Sequence, residues 1–184
     1  MNGLLLGLAF LTAVNPPRTR LGLPEDDRGR GRLSVAAAGA ALAWAGLAGL
    51  AWLSGPLLDA LEITPETFRI AAGLVAVAAA LVVLAVPRPA DEPALAGWKA
   101  ALWPVAFPRL FAPETAALAL TAGSLEGVGP AAAGSGIALA AGVALAALER
   151  TGLSERVLAW AGRVLAVLLV VVGIFLMIDG IRDV

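Results

Sequence analysis

The chain has 184 residues and a net charge of −1, and 60% of its residues are apolar. A mean hydropathy of +0.88 over this length is too high for a soluble domain, which leaves an integral membrane protein surrounded by the lipid bilayer. The near-neutral charge gives no reason to expect nucleic acid as a partner. Since cysteine and histidine are absent, we expect no disulfide, no thiolate or imidazole metal site and no cofactor.

The first apolar segment, residues 1–15, is short for a membrane span. At 1.5 Å per residue, the part before Asn15 covers about 21 Å of a hydrocarbon core that is about 30 Å thick. Pro16 and Pro17 follow and remove two backbone donors. The first helix is therefore predicted to break at this point.

Four later segments have the length of ordinary membrane spans, about 20 residues. They are predicted at about 33–58, 68–86, 130–148 and 157–178. Another stretch, 94–125, is too long for one upright span and contains Pro104, Pro108 and Pro113. Helical structure is predicted to fail at about 105–112 and to resume at Pro113, because proline suits the first helical turn and Glu114 then lies near the positive end of the helix dipole.

The second half of the chain repeats the first at an offset of about 90 residues. Ala36-Ala37-Ala38-Gly39 recurs as Ala131-Ala132-Ala133-Gly134, Pro17-Arg18 as Pro108-Arg109, and Ala72-Gly73-Leu74-Val75 in part as Ala161-Gly162-Arg163-Val164. Each half, 1–86 and 94–184, is predicted to cross the bilayer three times, with a cytoplasmic linker at 87–93. Because three is odd, the second half enters from the opposite side. The predicted fold is an all-α integral membrane protein with six transmembrane helices in two inverted three-helix repeats, helices 1 and 4 being broken at proline.

The two broken helices occupy equivalent places in the repeats, and in inverted-repeat transporters such helices meet at the substrate site. Irregular backbone at membrane depth must be buried in protein or line a water-filled cavity, because lipid offers no hydrogen-bond partner. The alternative is a pair of structural kinks filled by neighbouring side chains. The predicted substrate-binding residues are Asn15, Pro16, Pro17, Arg18, Pro104, Pro108, Arg109, Pro113 and Glu114.

Several of these residues have more than one use. Asn15 can bind a polar solute or cap its own broken helix. Arg109, followed by the helix start at Pro113, suits a carboxylate or phosphate group, whereas Arg18 can instead lie in the cytoplasmic loop. Glu114 either neutralises Arg109 as an internal pair or carries a coupling proton.

Small residues recur every fourth position in two predicted spans. They are Ala37, Ala41, Ala45 and Gly49 in the second span, and Gly134, Ala138, Gly142 and Ala146 in the fifth. Such stripes let helix backbones approach closely in lipid. They either join the two repeats or form the seam of a homodimer, and the sequence leaves both uses open.

Basic residues concentrate in the connections after the first, third and fifth spans. These residues are Arg18, Arg20, Arg28, Arg30, Arg32, Arg88, Lys99, Arg150 and Arg156. The opposite face has little beyond Arg69 and Arg182, and Arg163, just inside the sixth span, is expected to snorkel to the cytoplasmic boundary. By the positive-inside rule the basic face is cytoplasmic, so both termini are predicted to lie outside a bacterial cytoplasmic (inner) membrane.

Two short motifs carry a family resemblance. They are Ala13-Val14-Asn15-Pro16 and the run Pro104-Val105-Ala106-Phe107-Pro108-Arg109-Leu110-Phe111-Ala112-Pro113. They resemble the Asn-Pro signature and the Pro-x-Ala-x-Pro run of the MarC-like membrane proteins, within the LysE exporter superfamily. The resemblance implies six transmembrane helices and export of a small solute. The chain departs from the family pattern where Pro17-Arg18 replaces Ile-Gly and where Ala112-Pro113-Glu114 replaces Gly-Pro-Gly.

The predicted function is that of a membrane transporter that exports a small polar or anionic solute by alternating access. The main alternative is a non-transporting structural or regulatory membrane protein with a dry core. We expect no enzyme and no catalytic residue. Ser135 is flanked by glycines like a nucleophile, but no histidine can activate it and the only lysine, Lys99, lies on a different segment.

Overall fold

A computed structural model describes residues 3–21, 30–86, 97–148 and 154–184. Within these ranges all regular structure is helical and no strand is present. The predicted linker at 87–93 and most of the charged loop after Arg20 lie outside the described residues, as do Arg28, Arg88 and Arg150.

The described residues form seven α-helices and one irregular helical segment. The helices are α1 (Gly3–Val14), α2 (Pro16–Leu21), α3 (Arg30–Ala60), α4 (Pro65–Ala85), α5 (Pro113–Glu126), α6 (Val128–Ala147) and α7 (Glu155–Asp183). Between α4 and α5, a short 3₁₀ helix, Gly97–Ala101, leads into the irregular turns of Leu102–Leu110. We call residues 97–110 the proline segment.

Four helices are long and apolar enough to cross a membrane. They are Leu33–Ala60 of α3, the whole of α4 and α6, and α7. These helices match the predicted second, third, fifth and sixth spans to within about five residues at either end. The all-helical class is thus confirmed, and the four apolar helices fit a membrane-embedded protein. The first predicted span corresponds to α1 with α2, and the fourth to the proline segment with α5.

The helices α4 and α7 pack along each other in opposite directions. A Cβ atom added to Gly73 would lie 2.5 Å from the carbonyl oxygen of Gly173, and one added to Gly173 would lie 2.7 Å from that of Gly73. At one end of the pair, buried Arg69 of α4 forms ion pairs with Asp179 and Asp183 of α7. Glycine is required at the crossing because any side chain would separate the two backbones.

The broken helices pack against the other two long helices. The proline segment and α5 lie along α3, where Gly39 leaves room for Val105, and α1 lies along α6, where Gly134 leaves room for Phe10. The helices α3 and α6 also contact each other, and Trp44 Nε1 donates a hydrogen bond to the Ala132 carbonyl oxygen at 2.9 Å. This arrangement brings both breaks into the interior of the bundle.

The two small-residue stripes have different surroundings. In α6, Gly134, Ala138 and Ala146 are buried within the chain. In α3, the members Ala37, Ala41 and Ala45 are exposed, and the buried face is made instead by Ala36, Ala40, Ala43, Leu47 and Ala51. Only the α6 stripe therefore serves internal packing, and the homodimer stays a prediction.

Candidate functional site

The first helix break is centred on Asn15. This residue has a left-handed backbone with φ of 47°, and the two prolines that follow it have no N–H to donate. The Asn15 carbonyl oxygen accepts from the N–H groups of Arg18 and Thr19, both at 3.0 Å. The Thr19 hydroxyl lies 2.9 Å from the Val14 carbonyl oxygen and donates to it. The carbonyl groups of Val14 and Asn15, at the break itself, thus have partners within the chain.

The second break lies at the end of the proline segment. Trp103 and Phe107 have extended backbones because each precedes a proline, and α5 begins at Pro113. The Thr115 hydroxyl accepts from the Ala112 N–H at 2.9 Å and lies 2.9 Å from the Leu110 carbonyl oxygen, to which it can donate. In each break, the hydroxyl of a threonine on the following helix therefore forms hydrogen bonds with the backbone of the break.

The two breaks meet at one cavity of about 370 Å³. Its walls come from the end of α1, from α2, from the last turn of α4 and from the junction of the proline segment with α5. The lining residues are Ala13, Val14, Asn15, Arg18, Thr19, Val82, Val83, Val86, Pro108, Arg109, Ala112 and Glu114.

The polar part of this lining carries two positive charges and one negative charge. Arg18, Arg109 and Glu114 are each partly buried, and Val82 and Val83 of α4 with the following Val86 supply apolar lining. Arg18 lies on α2, and Glu114 interacts with it electrostatically. Arginine stays protonated at neutral pH, so two arginines and one glutamate give the cavity a net positive lining.

Asn15 lines the cavity while holding two helices in place. Its Nδ2 donates to the Gly162 carbonyl oxygen of α7 at 2.9 Å, and its Oδ1 accepts from the Arg18 N–H at 3.3 Å. A Cβ atom on Gly162 would lie 3.3 Å from that Oδ1, so α7 approaches closely here. Asn15 was predicted either to bind a polar solute or to cap its own broken helix. Its contacts in the structure are those of a helix cap, together with a hydrogen bond to a second helix.

The structure brings five of the nine predicted site residues to the cavity wall: Asn15, Arg18, Pro108, Arg109 and Glu114. Pro16, Pro17 and Pro104 are buried in the backbone breaks, and Pro113 is exposed at the start of α5. Thr19, Val82, Val83 and Val86 also line the cavity and were not among the predicted site residues. Thr19 follows the predicted break closely, but nothing in an apolar helix marks which valines face a cavity.

The structure also shows the surroundings of Ser135 and of the carboxylates. The Ser135 hydroxyl is buried and donates to the Ala131 carbonyl oxygen at 2.9 Å, a common contact of serine within a helix. Within the described ranges, no group of three or more carboxylates is placed to hold a metal ion.

No protein-family model matches the chain, and neither a curated protein nor a solved structure is significantly similar to it.

Proposed function

We propose that this chain is a membrane transporter that exports a small polar or anionic solute by alternating access. The observation that carries the proposal is the cavity itself: both helix breaks and the repeat-related charges of Arg18 and Arg109 meet there. Membrane proteins tolerate unwound backbone where it lines such a cavity, and they rarely bury arginine without a use for it. The dry-core alternative gives no reason for both helix breaks and these charged side chains to share one cavity.

The path of the proline segment and α5 supports six membrane crossings. Added Cβ atoms at Gly39 and Gly46 of α3 would meet Val105 and Phe111, and one at Gly123 would meet the backbone of Ala51. The stretch from 97 to 126 therefore follows α3 over about 18 Å in the same direction. That length, with the residues beyond it at both ends, is enough for a broken helix to reach across the bilayer.

The helix packing supports an inverted repeat. In the first half, Gly39 of α3 faces Val105, and in the second half Gly134 of α6 faces Phe10. Both members of each pair are shifted by the same 95 residues, so the two contacts exchange under the proposed symmetry. The pairing of α4 with α7 and of α3 with α6 fits the same relation.

Charge supports the orientation and the direction. Arg18, Arg20 and Arg156 lie at the end of the bundle where the cavity is found, and Arg69 lies about 21 Å away from Val83 along α4. By the positive-inside rule the cavity faces the cytoplasm, the side from which an exporter loads its cargo. Membership in the MarC-like family stays a prediction.

The charges of the cavity define the kind of solute. Two guanidinium groups favour a carboxylate or phosphate group, which arginine binds through paired hydrogen bonds. Glu114 interacts with Arg18 electrostatically, so an incoming anion competes with this carboxylate for the guanidinium. Protonation of Glu114 would remove the competitor, which makes Glu114 our candidate for the coupling group.

The proposal is tested by thiol labelling, because the chain has no native cysteine. We expect Ala13→Cys and Ala112→Cys, which line the cavity, to react with a membrane-impermeant maleimide in vesicles. Ala9→Cys is the matched control, since Ala9 is fully buried one turn away and lies outside the cavity. Reaction of the two cavity positions from both sides of the membrane supports alternating access. Protection equal to that of Ala9→Cys would establish the dry core and end the transport proposal.

Transport itself is measured in proteoliposomes loaded with radiolabelled succinate, lactate, glutamate or inorganic phosphate. We expect Arg109→Gln to lower the efflux of the transported anion by about tenfold or more, the effect of losing one charge-assisted contact. Arg182→Gln, at the exposed end of α7, is the control and should leave efflux unchanged. Equal efflux from Arg109→Gln and wild type would remove Arg109 from the site.

A further inference from the structure

The outward face of α7 is apolar over most of its length. Its exposed residues include Val157, Val164, Val167, Val171 and Ile178. They recur at helical spacing on a helix that is long enough to cross the membrane. In a bilayer, this face is in contact with lipid chains rather than with water.

At the N-terminal end of α7, the apolar face gives way within about two turns to basic and aromatic side chains. Arg156, Trp160 and Arg163 lie at spacings of four and three residues, which places them on one side of the helix. All three side chains are exposed, Trp160 to 69%. Neither arginine forms an ion pair with any residue in the described part of the chain. Two arginines without an ion pair in the described part of the chain therefore flank an exposed indole in the first turns of α7, and the carboxylate of Glu155 lies next to Arg156 in the chain.

The geometry of a helix directs these groups toward one another. Side chains on an α-helix lean toward its N-terminus, which is the direction of Trp160 and Arg156 from Arg163. A surface depression of about 360 Å³ lies between Arg156, Val157, Trp160 and Ala161. Long arginine stems can run along this apolar floor while their guanidinium groups stay at the polar boundary.

We propose that Arg156, Trp160 and Arg163 form a binding site for the headgroup of an anionic phospholipid. The guanidinium groups would hold the phosphate, the indole would lie at the boundary with its N–H available as a donor, and the acyl chains would continue along the valines of α7. A soluble anion would contact only the guanidinium groups. A lipid would also bury its acyl chains against the continuous apolar face of α7, and this additional contact favours a lipid over a soluble anion. This site is on the outside of the bundle and does not depend on the proposed transport function.

The chain contains a matched aromatic control. Trp52 of α3 is 70% exposed, like Trp160, but no arginine or lysine lies within a helical turn of it. Trp52 is thus an equally exposed tryptophan of a membrane-length helix without a neighbouring cation in sequence. If tryptophan exposure alone attracted lipid, the two positions would behave alike.

The test is native mass spectrometry of the whole detergent-purified chain titrated with dioleoyl phosphatidylglycerol, with dioleoyl phosphatidylcholine as the neutral lipid. We expect phosphatidylglycerol to bind more tightly, Arg156→Gln and Arg163→Gln each to weaken its binding about fivefold, and Trp160→Phe to weaken it more than Trp52→Phe does. Arg182→Gln, exposed at the other end of the same helix, is the charge control. We expect it and Trp52→Phe to change the affinity by less than about twofold.

Several results would overturn the proposal. One is equal binding of the two lipids by the wild-type protein. Another is unchanged phosphatidylglycerol binding in the double variant Arg156→Gln with Arg163→Gln. Both positions are exposed, and the melting temperature of the double variant shows that it remains folded. A third is full displacement of the lipid by millimolar inorganic phosphate, which would mean a site for a soluble anion.

Discussion

Arg69 is the most deeply buried charged residue among those that the structure describes, and its partners decide what it contributes. Its side chain is 7% exposed, whereas those of Asp179 and Asp183 are 41% and 51% exposed. A buried cation without a partner is costly, but a carboxylate at the boundary can be hydrated. Nothing in the sequence connects a residue near the start of α4 with the end of α7, so this cluster appears only in the structure.

This asymmetry predicts the order of stability of two variants. Replacing both partners, Asp179→Asn with Asp183→Asn, leaves Arg69 buried and unpaired and should cost about 1–3 kcal/mol of stability, reduced from the fully buried case by solvent screening. Arg69→Met keeps much of the aliphatic stem and should cost less than about 1 kcal/mol. The measurement is the melting temperature in detergent, with exposed Asp59→Asn as the control. A larger loss for Arg69→Met than for the double variant would contradict this account.

Asn15 shows how the position of a helix break can be predicted from sequence while the contacts of the residue at the break depend on a distant helix. Its position before two prolines makes a helix break certain from local chemistry alone. The hydrogen bond from its amide to the Gly162 carbonyl oxygen joins residues 147 positions apart in the chain. That partner is set by how α7 packs beside α2, which no local rule contains.

At the scale of the elements, glycine controls how closely α4 and α7 pack. Gly73→Ala would place a methyl group 2.5 Å from the Gly173 carbonyl oxygen and 2.7 Å from Met177 Cγ. Because the first obstacle is backbone, the helices must move apart, and we expect a loss of about 1–3 kcal/mol in stability. Thermal unfolding in detergent measures it.

Gly49→Ala is the control for this substitution. Gly49 lies in the interior of α3, and no atom lies within 4 Å of the position that its Cβ would take. Alanine is a better helix former than glycine by about 1 kcal/mol, so this variant should be neutral or more stable. Equal destabilisation of both variants would show that close packing is not the reason for Gly73.

At the scale of the whole molecule, the number of crossings determines which connections share a side of the membrane. If the stretch from 97 to 126 crosses the bilayer, the α3–α4 and α5–α6 connections lie on the same side and the start of α7 lies on the other. We therefore expect Glu62→Cys and Val128→Cys to react with an impermeant thiol reagent from one side. Ser154→Cys should react only from the opposite side. All three residues are exposed at helix ends.

The labelling pattern separates the two topologies directly. Should Glu62→Cys and Val128→Cys react from opposite sides, the proline segment and α5 would enter and leave on one side, and this stretch would not cross the membrane. A Cys-free background is already present, so each variant needs a single substitution.

The sequence by itself determined the features that depend on local chemistry. High apolar content predicts membrane helices, and a missing N–H at Pro16, Pro17 and Pro113 predicts helix ends, because these properties do not need a partner. Only the tertiary structure decided which faces turn inward. Ala37 and Ala41 face outward, and Val82 and Val83 line the cavity, although all four belong to almost uniformly apolar helices. In such helices no polar side marks the surface, so rotation about the helix axis is set by packing between helices distant in sequence.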